Sequence, residues 1–169
     1  MERGLSRRDA WQVFVNAWNL STPMGLLIAR LGRARIRSRP DGLWLADGYG
    51  LGFPVAGAFT VGNVLITAAD FDRLSEDVIA HEIAHTRQYR RWGWLFGPAY
   101  VAATAWSWVA TGDRAARNHF ERDAGLERGG YTDVPLRPLW HRMGQALWTG
   151  GGNQRTVYCN RDADRATRR

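Results

Sequence analysis

The chain reads as an α+β fold in which a small antiparallel sheet precedes a helical core. Three observations lead there. Short runs rich in β-branched and aromatic residues, separated by glycine-containing turn pairs, fill 41–66. Helix-forming sequence fills 70–128, with a turn at 112–117. The chain has 169 residues, 45% of them hydrophobic and 23% charged, which suits one compact domain with an appendage and excludes wholesale disorder. Cys159 is the single cysteine, so a disulfide-stapled scaffold is excluded.

The elements follow in order. Residues 1–40 read as one or two helices and an arginine-rich connector closing at Pro40. Their apolar stretch, 11–31, lacks a small-residue cleavage site, and Asn16, Asn19 and Pro23 interrupt it, so it is neither a signal peptide nor a spanning helix. It reads as a core-packing helix, or as an amphipathic helix lying on a membrane surface. Next come Leu43-Trp44-Leu45 before the turn pair Asp47-Gly48, then Phe53-Pro54-Val55, and then 58–61 joined through Gly62-Asn63 to 64–67. Ser75 is a good N-cap, with Glu76 and Asp77 supplying negative charge in the first turn of the helix that follows. Residues 92–111 carry no formal charge and read as a buried or interfacial helix, with a membrane span as the alternative. A short helix is expected at 139–148, before Gly150-Gly151-Gly152 ends ordered structure. The expected organisation is a helical segment and connector over 1–40, a domain over 41–149 and a mobile basic tail over 150–169.

His81-Glu82-Ile83-Ala84-His85 is the informative stretch. On a helix, positions four apart share one face, so both imidazoles can donate to one tetrahedral zinc ion. Glu82 is rotated by about 100° from His81, beside the metal rather than on it, where it can take a proton from a metal-bound water. Two histidines do not hold catalytic zinc, and no third histidine follows closely. The third ligand is expected on the next polar helix, at Glu121, with Asp123 and His119 as rivals. Asn118 and Glu121 are also spaced like a capping box, which would leave Glu121 a purely local role.

With these residues the chain resembles zinc metallopeptidases of the gluzincin type, in particular the small bacterial minigluzincins and the heat-shock-type membrane zinc endopeptidases. The likeness spans about 57–124. It rests on the hairpin 58–67, Leu74-Ser75-Glu76-Asp77 before HEIAH, and Glu121-Arg122-Asp123-Ala124. It implies an active-site helix, a glutamate helix, zinc held by His81, His85 and Glu121, and Glu82 as general base in peptide hydrolysis. It also implies a peptide or protein substrate extended along the edge strand at Ala58, Phe59 and Thr60. An oxyanion or proton donor is expected at Tyr131 or His141, with Tyr89 as a further candidate. One departure stands out. The family's aspartate four residues after the glutamate, which orients a histidine ligand, is Gly125 here. That leaves the support of the ligands incomplete unless Asp77, Asp113 or Asp123 substitutes. If Glu121 and both histidines meet one metal, 92–111 cannot cross a bilayer between them.

The formal charge is +7, and all 23 basic residues are arginines, with five clustered at 30–39 and five in the tail. Two other readings stay open: a zinc-holding chain without activity, on account of Gly125, and a basic membrane-associated binding module, on account of the arginine flanks and nine tryptophans. No nucleic-acid reader spacing is visible, so no specific nucleic-acid partner is expected. The location expected is cytoplasmic, with a membrane surface as a second candidate partner.

Overall fold

The computed structural model describes residues 6–52 and 57–137. The run Phe53-Pro54-Val55, the helix expected at 139–148, His141, Cys159 and the tail 150–169 lie outside the described residues. The fold is α+β. Helices α1 (Arg7–Trp18) and α2 (Ser21–Leu31) come first, then strands β1 (Arg35–Ser38), β2 (Trp44–Asp47), β3 (Ala58–Val61) and β4 (Val64–Thr67). Helices α3 (Glu76–Trp92), α4 (Phe96–Thr111) and α5 (His119–Ala124) follow.

The four strands form one sheet in the order β1-β2-β4-β3. β1–β2 and β3–β4 are antiparallel pairs, but β2 and β4 run parallel. The sheet is therefore mixed rather than wholly antiparallel. The pair Gly62-Asn63 turns β3 into β4 as expected, while β1 turns into β2 through 39–43. The way the hairpins join depends instead on β3 taking the far edge beside β4, which no turn residue encodes. The arginine-rich segment expected as a connector forms edge strand β1, where three of its four side chains face solvent. β4 lies at the centre, with Val64, Leu65 and Ile66 wholly buried. A strand covered on both faces reads as a continuous apolar run rather than an alternation.

One face of the sheet is covered by α2. Ala29 packs with Ala46, Tyr49, Val64 and Ile66. Gly25 lets that helix lie flat, since a Cβ there would sit 2.3 Å from the Val61 carbonyl oxygen. The other face packs Leu43, Leu65 and Phe71 against Ile79 and Ile83 of α3. A separate aromatic core of Tyr89, Phe96 and Phe120 ties α3, α4 and α5 together.

The uncharged stretch 92–111 is neither one straight helix nor a span. α3 ends at Gly93, whose φ of 56° and ψ of −137° suit a residue without Cβ. A single 3-10 turn, Gly93–Leu95, leads into α4. α4 then folds back along α3: the rings of His85 and Tyr100 are 6.0 Å apart, whereas a continuous helix would separate them by about 22 Å. Among the described residues, no helix is long and apolar enough to cross a membrane.

Candidate metal centre

α3 begins as its sequence predicts, with the Ser75 hydroxyl accepting from the Val78 amide. Its buried side carries His81, Glu82, His85 and Gln88. α5 is capped by Asn118, whose side chain accepts from the Phe120 amide. Glu121 is thus free of capping duty, and its carboxylate points inward, 1% exposed.

The two ring nitrogens and the carboxylate meet. His81 Nε2 is 3.1 Å from His85 Nε2 and 3.0 Å from Glu121 Oε2, and His85 Nε2 is 3.8 Å from Glu121 Oε1. Tetrahedral zinc with bonds of about 2.1 Å separates its donors by about 3.4 Å, close to these spacings. His119 is exposed, and the Asp123 carboxylate turns to Gln88, so neither rival joins the cluster.

Hydrogen bonding sets the tautomers. His81 Nδ1 faces the Gly125 carbonyl at 3.1 Å, and His85 Nδ1 faces Gln88 Oε1 at 2.8 Å. The Gln88 amide has only one consistent orientation, because its Nε2 donates to the Phe120 carbonyl at 2.9 Å and to Asp123 at 3.0 Å. Both Nδ1 atoms therefore carry a proton, so in the neutral rings both Nε2 lone pairs face each other and Glu121. Glu121 Oε2 receives no hydrogen bond. Lone pairs converging in a buried site repel unless a cation sits among them, so the donor set fits a metal ion.

The electrostatics agree. Burial works against charge on His81, but the Glu121 carboxylate 3.0 Å from its Nε2, the charge of Glu82 and the Gly125 carbonyl outweigh it and raise its pKa, so the site favours a positive charge. Burial pushes Glu121 up, yet His81, His85 and Tyr100 together hold it below the usual carboxylate range. Glu82 is raised by burial, against the charge of His85 and a 2.7 Å hydrogen bond donated by the Thr60 hydroxyl.

Three supports escape sequence reasoning. The Tyr100 hydroxyl donates to Glu121 Oε1, and burial and that carboxylate raise its pKa far above the normal phenol value. Gln88 lies one turn past His85 and orients it, a role that i, i+3 spacing could have revealed. The third is main chain. Position 125 lacks the aspartate of the resemblance, yet Gly125, at φ 95°, presents its own carbonyl to His81, so the expected gap is filled. Asp123 supports the site through Gln88, one step further out.

Of the remaining candidates, Tyr131 lies with its ring 6.0 Å from that of His81. Tyr89 packs its ring 4.4 Å from Phe96 in the aromatic core, where burial pushes its pKa up to about 12. Ala58, Phe59 and Thr60 lie on β3, an edge of the sheet, with Thr60 turned to Glu82. Gly129 closes against the histidine: a Cβ there would fall 2.7 Å from His81 Cε1 and 2.9 Å from Nε2. Comparison with known protein families, curated proteins and solved structures finds no match to this chain.

Proposed function

We propose that this chain is a zinc-dependent peptidase. The observation that carries the reading is the convergence of His81 Nε2, His85 Nε2 and Glu121 in one buried cluster, with Glu82 beside it on the same helix. Two imidazoles and one carboxylate form the donor set of catalytic zinc sites that keep a position open for water. The bound ion would supply a Lewis acid that makes a water molecule acidic near neutral pH.

The chain's own residues do the rest. Glu82 takes the proton from the attacking water and passes it to the leaving nitrogen, and its raised pKa suits a group that must hold that proton. Thr60 keeps the Glu82 carboxylate in place. Tyr131 is the donor proposed for the developing oxyanion, because its ring borders His81. The substrate backbone would lie extended along the free side of β3, adding a strand to the sheet. An inactive zinc-holding chain was the alternative, argued from Gly125; the Gly125 carbonyl and Gln88 supply the contacts that argument found missing, which favours the active reading.

Glu82→Gln should keep the metal by elemental analysis and lower peptide hydrolysis by about 10²–10⁴-fold. Full activity in that variant would end the mechanism. His81→Ala and Glu121→Ala should each lose the metal, and retention of about one ion per chain by both would move the ligand set elsewhere.

A further inference from the structure

Among the described residues, an aromatic face is left uncovered by the fold. Trp11, Phe14 and Trp18 fall on one side of α1, their rings stacked in series at 5.8 and 6.2 Å. Trp18 is 79% exposed, and Trp94, in the turn between α3 and α4, is 72% exposed. The two places adjoin. Asn19 Nδ2 donates to the Tyr89 carbonyl at 3.3 Å and lies 3.5 Å from where a Cβ on Gly93 would stand. Aromatic side chains carry roughly 150–250 Å² each, so four of them more than half exposed present several hundred Å², the size at which a patch on a folded chain marks a docking surface.

The charges on α1 and in the last turns of α3 are positive, apart from Asp9 in the first turn of α1. There is no acidic residue between Ala10 and Pro40, and none between Ile83 and Gly112. Arg7 and Arg8 begin α1, and Arg87 and Arg91 lie in the last turns of α3, all four exposed. None of the four forms an ion pair among the described residues. A second copy docked through the same face by two-fold symmetry would bring this arginine fringe against itself. An anionic surface would neutralise it. Tryptophan favours the boundary between water and hydrocarbon, because its ring is apolar and its N–H stays hydrated. With no described helix able to span, attachment would be lateral.

We propose that α1 and the α3–α4 turn lie on an anionic lipid surface, with Trp11, Phe14, Trp18 and Trp94 in the headgroup layer and the flanking arginines on lipid phosphates. The test is flotation of the full-length protein with vesicles of phosphatidylcholine alone and of phosphatidylcholine mixed with phosphatidylglycerol. Binding is expected to the mixed vesicles, weakening as salt is raised, with tryptophan emission shifted to the blue and protected from iodide. The double variant Trp18→Gln/Trp94→Gln should bind about tenfold less, with unchanged circular dichroism. No binding to either vesicle, equal binding to both, or equal binding by the double variant would overturn the proposal. So would a dimer in light scattering that this variant dissolves while vesicles go unbound, which would assign the face to a second copy. Metal content and hydrolysis in solution do not enter these outcomes, so the proposal stands or falls apart from the peptidase reading.

Discussion

Gln88 shows how one side chain governs the chemistry of another. Its carbonyl accepts from His85 Nδ1, while its amide nitrogen is anchored to Phe120 and Asp123. Gln88→Leu would remove the acceptor, free the imidazole to rotate and place an unpaired N–H in a buried site. We expect metal affinity to fall about 10–100-fold, read by competition with a chromophoric chelator, with little change in secondary structure. His81, Glu82 and His85 were legible in the sequence because helical spacing alone puts them together. Glu121 was the preferred third ligand but less firmly legible, strengthened by the resemblance, since its rivals Asp123 and His119 lie within two residues and the rotation of α5 decides among them. Tyr100 was illegible: its part in the site depends on where the chain reverses, and nothing local to it says so.

At the level of elements, that reversal rests on Gly93. A Cβ at Gly93 would meet only ordinary contacts, the nearest at 3.5 Å, so substitution there costs backbone strain rather than collision. Gly93→Ala should destabilise the chain by about 1–3 kcal/mol in urea unfolding. It should also loosen metal binding, because the turn delivers Tyr100 to Glu121. The strand pairs at Gly62-Asn63 and Asp47-Gly48 illustrate the complementary case. The first turn closes β3 on β4 as read, since φ of 64° at Gly62 is what a tight hairpin requires. The second pair ends β2 without a hairpin, and the chain crosses to the far edge instead. The glycine signal is the same in both. What differs is the long-range burial of β4, which must be covered on two faces and so takes the centre of the sheet.

For the whole molecule, an ion held at the candidate metal centre would clamp distant parts of the chain together. Its donors come from α3 and α5, and α4 braces it from the side. An ion that binds only the folded chain adds its binding free energy to stability, about 4 kcal/mol when present at a thousandfold over its dissociation constant. Stripping it with a chelator should lower Tm by about 8–16 °C for a chain of this size, and restoring zinc should recover the loss; an unchanged Tm would mean that the helices hold together without the clamp. The Gly125 carbonyl has a consequence of a different kind. Because that oxygen belongs to the peptide backbone, no side-chain substitution can delete it, and its service to the imidazole leaves no signature in the letters of the protein.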